Sequence, residues 1–214
     1  MFRKDKTMRP KKKIPKGSLR YTMHKTIKAG VSKGDLLESV KCPSSENINE
    51  WLAVNCFDFF NEILLSYSAI CDLCTVSTCP VMNAGPKMEY LWSDPVQKKN
   101  IAIPAKEYCE RLFEWVQTCF DNSAIFPEQF DSKPPKEFKP TLSKIFKRLF
   151  RVYAHMFYSH QKHMENLQIN DSVTVSFRHF YVFCNTNKLL NKDDIEPLKD
   201  MTKEIDKEFG LAPL

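Results

Sequence analysis

An all-α bundle with one irregular insertion is the fold class that this 214-residue sequence predicts, on three observations. Apolar residues recur at three-and-four spacing through five long segments, the period of a helix with one face against a core. Prolines and glycines gather between those segments, above all from Thr75 to Pro104 and from Ser132 to Pro140, where no regular element can run through. Hydrophobic residues make up 43% of a chain long enough to bury one core without staples. One globular domain over residues 34–214 is therefore expected, preceded by an arm of different composition over residues 1–33.

Charge separates the arm from the body. The net charge is +6, but residues 1–33 hold twelve Lys or Arg and one Asp, or +11, while the remainder holds twenty basic against twenty-five acidic residues, or −5. A Lys-rich arm with Pro10, Pro15, Gly17 and Gly30 has little apolar surface to bury and is expected to be mobile at its start. Lys11-Lys12-Lys13 fits a solvated tail, a nuclear-import signal or a nucleic-acid contact. No apolar run is long enough to span a bilayer, and no basic-then-apolar segment opens the sequence. The expectation is a cytoplasmic protein with access to the nucleus and no membrane insertion. In a reducing compartment the eight cysteines are expected free or metal-bound rather than paired in disulfides.

Each element has its own signature. Asp35 to Val40 predicts a short helical turn, which Cys42-Pro43-Ser44-Ser45 breaks. Asn47 reads as a helix N-cap with Glu50 three residues on, the spacing of a capping box. Trp51, Leu52, Cys56, Phe59, Phe60, Ile63, Leu64, Tyr67 and Ile70 then follow at helical spacing, while Glu46, Glu50, Asp58 and Glu62 form an acidic stripe. That stripe is either a solvated surface or a receiver for a basic partner. Within the insertion, Met88 to Trp92 predicts a short strand or hairpin arm, and Pro104 sits where a first-turn proline is tolerated. Tyr108, Leu112, Trp115, Val116 and Cys119 define the next amphipathic helix. Pro140 opens another, with Leu142, Ile145, Phe146, Leu149, Tyr153, Met156 and Phe157 as its apolar stripe and Lys144, Lys147, Arg148 and Arg151 sharing a basic face. Further helices are predicted from Ser172 to Asn187, and from near Asn191 through Ile195, Leu198, Met201, Ile205 and Phe209.

Metal-ligand residues cluster in two distant stretches, Cys74-x4-Cys79 and His155-x4-His160. Should these four side chains meet, they form a Cys2His2 set suited to tetrahedral zinc, with no open position and hence a structural role. Closing that shell would couple metal binding to tertiary contact. Two alternatives compete: Cys71-x2-Cys74 is also a metal spacing, and His163 neighbours His160 more closely than His155 does. Positions five apart on a regular helix diverge by about 140°, so pairing His155 with His160 requires a distortion or an ion lying across the helix shoulder. Cys56, Cys109, Cys119 and Cys184 fall within apolar helical patterns and read as core.

Catalytic motifs are lacking. The five glycines are scattered rather than gathered into a phosphate loop, and neither a Gly-x-Ser-x-Gly elbow nor a His-Glu-x-x-His helix occurs. A zinc hydrolase would need an open ligand position and a nearby base, which nothing around His155 supplies locally. The basic face of Lys147, Arg148 and Arg151 suits a phosphate group held by charge-assisted, bidentate hydrogen bonds, or is a solvated face. Nucleic acid fits it less well, because stacking aromatics are not interleaved with these charges on the exposed face.

Three stretches narrow the class to a family. Asn49-Glu50-Trp51-Leu52-Ala53-Val54-Asn55, Cys79-Pro80-Val81-Met82-Asn83-Ala84-Gly85-Pro86-Lys87 and above all Lys147-Arg148-Leu149-Phe150-Arg151-Val152-Tyr153-Ala154-His155 resemble the Mob (Mps-one-binder, phocein-like) family, from about Lys6 through the last helix. The resemblance implies a Mob-like helical bundle, with a four-helix core, extra helices and a short β-hairpin in the 75–104 insertion. It also implies a structural zinc held by Cys74, Cys79, His155 and His160. It further implies a non-enzymatic co-activator or adaptor for NDR/LATS-type AGC kinases, most like the Hippo/NDR-type members, in signalling tied to mitotic exit, cytokinesis and cell polarity.

In that family an acidic face takes the basic N-terminal regulatory region of the kinase, and the matching positions are Glu46, Glu50 and Asp58, with Trp51 in support. A basic pocket reads phosphothreonine on an upstream STE20-type kinase or scaffold and matches Lys147, Arg148 and Arg151. Thr7 matches the first of two regulatory threonines, whereas Gly30 stands at the second. The alternative readings are a phocein-like subunit of a striatin phosphatase-kinase assembly and a zinc-scaffolded nucleic-acid binder.

Overall fold

In the computed structural model, which describes residues 36–94, 99–131 and 133–214, a single turn α1 (Leu36–Ser39) leads into the long helix α2 (Ile48–Ser68). The basic arm, Thr7 and Gly30 lie outside the described residues. Asn47 caps α2 as its sequence predicts, its side-chain oxygen accepting from the Asn49 N–H at 2.9 Å. The expected capping box does not form. Glu50 instead turns outward from its own helix end and accepts the backbone N–H of Phe130 at 3.2 Å. The loop after the next helix packs over the start of α2, and a partly buried N–H there needs an acceptor, which outweighs a second cap for a helix already capped.

The insertion folds back on itself before it pairs. The Tyr90 N–H donates to the Met82 carbonyl and the Ala84 N–H to the Met88 carbonyl, around Gly85 at φ +82°. A side chain at Gly85 would meet the Tyr158 ring at 2.9 Å, so only glycine lets this turn close. Met88 to Tyr90 thus form the hairpin arm that the sequence allowed, against Met82 to Ala84, and the regular strand begins only at Trp92. Strand β1 (Trp92–Asp94) pairs antiparallel with β2 (Lys99–Ile101), and upstream only an isolated bridge joins Asn83 and Glu89.

Four helices enclose the core, each meeting at least one other: α2, α3 (Ala105–Asp121), α4 (Phe138–Ser159) and α6 (Asn170–Thr186), with the short α5 (Gln161–Asn166) before the last. Phe59 of α2 shows how they lock. Its ring lies 6.1 Å from Phe146 of α4 and 5.5 and 5.1 Å from Phe180 and Phe183 of α6. Fully burying each such side chain contributes about 1.5–3 kcal/mol, and the edge-to-face contacts of Phe59 with Phe146 and Phe180 add to that. Cys56, Cys109, Cys119 and Cys184 are buried in this core, as their helical spacing predicts.

The final helix is not continuous. It starts as α7 (Lys192–Ile195) with a capping box between Asn191 and Asp194, passes through a 3-10 turn at Glu196–Leu198 and resumes as α8 (Lys199–Phe209). Pro197 explains the break: it has no N–H to donate, and its ring would clash with the carbonyl four residues back. No helix of the described residues is long and apolar enough to cross a membrane.

Candidate functional site

The sulfur and imidazole groups meet because two helices end where they do. After α2, the chain turns through Cys74, whose N–H donates to Ile70, and Cys79, whose N–H donates to Thr75. Helix α4 carries His155 and stops at Ser159. His160 follows at φ −128° and ψ 13°, out of helical register. Of the two ways to pair them the chain takes the distortion, which swings His160 back toward His155, their rings 5.1 Å apart.

Cys74, Cys79, His155 and His160 are all buried, and their ligand atoms lie within 4.8 Å of one another. Sγ of Cys74 stands 3.5 Å from Nε2 of His155, and Sγ of Cys79 stands 3.5 Å from Nε2 of His160. A tetrahedral ion with Zn–S and Zn–N bonds of about 2.3 and 2.05 Å would hold sulfur and nitrogen about 3.5 Å apart. The residues present therefore fit a Cys2His2 metal centre. Outer partners fix the ring nitrogens. His155 Nδ1 donates to the Asn83 carbonyl at 2.8 Å, leaving its Nε2 lone pair toward the sulfurs. His160 Nδ1 lies 3.2 Å from Nδ1 of His163, so His163 stands behind the set rather than in it. Cys71 is also outside, its thiol 3.3 Å from the Ser68 carbonyl.

Burial shapes the donors. It lowers the pKa of both imidazoles, that of His160 to about 4, so each offers a neutral nitrogen. It pushes the Cys74 thiol up to about 12, a cost that a bound cation would reverse by stabilising the thiolate. The buried Tyr67 hydroxyl stands against the Cys74 and Cys109 thiols, so a Cys74 thiolate would give it an acceptor.

The acidic stripe of α2 is less exposed than its spacing suggests. Glu46, Asp58 and Glu62 are half-buried, Glu50 is buried against Phe130, and Trp51 is fully buried with its Nε1 donating to the Val40 carbonyl at 3.4 Å. Asp58 and Glu62 sit over α6. Burial raises the Glu62 pKa, with a Ser176 hydrogen bond opposing and Asp58 reinforcing. His179, buried against Phe59 at 4.8 Å, is held down to about 4 by desolvation, against the pull of Asp58.

A pH dependence follows for His179. Its folded pKa lies below the ordinary 6.5, so the unfolded chain binds more protons between those values and stability falls as pH drops from about 6.5 through 4. The loss is on the order of 3 kcal/mol, offset at the acid end by Glu62, whose raised pKa acts in the opposite sense. Denaturant titrations at stepped pH should show a shallower slope over that window for His179→Gln than for the wild type.

The basic residues of α4 form a cavity rather than an open stripe. The Arg148 guanidinium lies 4.8 Å from the Trp92 ring and 4.6 Å from the Trp115 ring; Arg151 lies 4.9 Å from the Tyr90 ring and donates to the Tyr108 hydroxyl at 3.0 Å. Lys147 pairs with Asp194 at 3.1 Å. Aromatics do meet these charges, but from beneath and not on the exposed face, because Tyr90, Trp92, Tyr108 and Trp115 arrive from the insertion and α3. No spacing along α4 could have shown them. They lie under the guanidiniums and lock them, so their faces are not offered to nucleobases. Lys144, Lys147, Arg148 and Arg151 line a cavity of about 380 Å³.

Comparison with known proteins agrees with this architecture. A family model described as the Mob1/phocein family matches residues 28–198. The chain is 45% identical over 205 residues, 95% of both proteins, to MOB kinase activator-like 1 homolog B of Dictyostelium discoideum. It is 42% identical over 204 residues, again 95% of both, to MOB kinase activator-like 1A of Arabidopsis thaliana. Human MOB kinase activator 3B is 41% identical over 207 residues, 96% of both.

Proposed function

The chain belongs to the Mob1/phocein family, and from that premise we propose that it is a non-enzymatic co-activator and adaptor of protein kinases. The observation that carries the adaptor reading is the presence of two surfaces of opposite charge on different helices, acidic on α2 and a cationic cavity on α4. Relatives named as kinase activators over nearly their whole length support the kinase as partner.

In finer terms, the acidic side of α2 receives the basic N-terminal regulatory region of an NDR/LATS-type AGC kinase. Glu46 and Asp58 make the charge contacts, while Glu50 and Trp51 hold the surface from beneath through Phe130 and Val40. Charge complementarity steers the encounter and fixes register, and binding shifts the kinase toward its ordered arrangement. The cavity of Lys147, Arg148 and Arg151 takes a phosphothreonine of an upstream STE20-type kinase or scaffold. Cys74, Cys79, His155 and His160 hold a structural zinc that ties the turn after α2 to the end of α4. Thr7 is the regulatory phosphorylation site of the arm, residues 34–214 form the binding domain, and the protein works in the cytoplasm and nucleus. A phocein-like place in a striatin assembly is the second reading, favoured by the breadth of the family matched.

The test is affinity capture with wild type and Asp58→Lys. Reversing this charge is expected to weaken kinase binding about 30-fold or more, with fold and metal content retained and some loss in melting temperature because Asp58 is half-buried beside His179. Retention of the same kinase by both proteins would reject the docking surface. Recovery of a striatin-type scaffold with no such kinase would establish the second reading.

A further inference from the structure

The cationic cavity has one acidic residue in its lining, Glu89. Glu89, Leu91 and Ser93 all line it at alternate positions of the segment, and Tyr90, under the Arg151 guanidinium, lines it as well. Asn100, the register partner of Ser93 across the hairpin, also lines the cavity. Glu89 and Leu91 are exposed, and no ion pair to Glu89 forms among the described residues. Across the cavity Lys147 already has Asp194, whereas exposed Lys144 forms no ion pair among the described residues.

Volume argues for more than a bare anion. About 380 Å³ falls within the range of ligand pockets and is about 7 Å across, a span that an extended peptide covers in about two residues. A ligand that fills the cavity with its phosphate on the arginines must lay a neighbouring residue against Glu89 and Leu91. An acidic neighbour would be repelled there, and a cationic one with an apolar stem matches both side chains.

Resting on the phosphate-pocket reading above, we propose that Glu89 is a specificity residue. It selects phosphopeptides that carry Lys or Arg within two residues of the phosphothreonine, the stem of that side chain lying on Leu91. The same carboxylate disfavours ligands that present repeated negative charge, such as nucleic acid or an anionic lipid surface.

Fluorescence anisotropy with labelled phosphothreonine peptides tests this, using Arg, Ala or Glu at each of the two positions on either side and the unphosphorylated form of each. For the wild type, Arg over Glu at one of these positions is expected to tighten binding about fivefold to tenfold, with the preference lost in Glu89→Gln and reversed in Glu89→Lys. Both variants change an exposed side chain and should keep the wild-type melting temperature. Phosphate-dependent binding with no Arg preference, or with one that Glu89→Lys leaves intact, overturns the inference while the pocket stands. Binding that ignores phosphorylation overturns both. Tighter binding of duplex RNA or of anionic vesicles than of any phosphopeptide would also overturn both.

Discussion

Cys79→Ser is expected to lower the melting temperature by about 10 °C or more and to reduce bound zinc to well below one per chain. Structural zinc sites in small domains are worth ~10–16 kcal/mol of apparent binding energy, and in a domain of this size each lost kcal/mol moves the midpoint by about 2–4 °C. Only part of that energy is lost here, because a core of interlocked aromatic rings remains. The effect should be broad rather than local. The ion would join the turn holding Cys74 and Cys79 to the His155–His160 end of α4, 81 residues away in the chain. Chelator treatment of the wild type should reproduce the shift, and metal analysis with calorimetry checks both. A melting curve like that of the wild type would remove the structural metal. His163→Ala provides a graded control: it removes the imidazole behind His160 and should weaken retention of metal against chelator without abolishing it.

Replacing Lys147, Arg148 and Arg151 together by alanine is expected to erase discrimination between phosphorylated and unphosphorylated peptides, a loss of about 100-fold in phosphopeptide affinity. It should also cost about 2 kcal/mol of stability, since Arg148 is packed on Trp92 and Trp115 and Arg151 on Tyr90. Lys147→Ala separates the two effects. That lysine gives up only a partly exposed ion pair to Asp194, so the variant should keep its fold and lose about fivefold in affinity. Equal preference for the phosphorylated peptide before and after the triple substitution would reject the pocket.

Periodicity made the helices legible, since a 3.6-residue stripe such as Leu142 to Phe157 has one physical explanation over that length. It failed where local rules met a competing contact. Glu50 abandoned its cap for Phe130, and Pro197 split a stripe whose apolar spacing continued across it. The metal set was legible as four residues of the right chemistry, with Cys71 and His163 as rivals that spacing could not dismiss. The acidic and basic residues were legible as stripes, but their exposure was not.

By itself, then, the sequence determined what recurs along a single helix: five amphipathic segments, a charge difference between arm and body, and the donors available to a metal. Tertiary structure decided which of those donors meet and what lies across from them. The break at His160 closes the metal set. Tyr90, Trp92 and Trp115, brought from two other elements, turn a basic stripe into a cavity. Spacing encodes direction about one helix axis, whereas a site is built between axes, and only packing fixes the distance and rotation from one helix to the next.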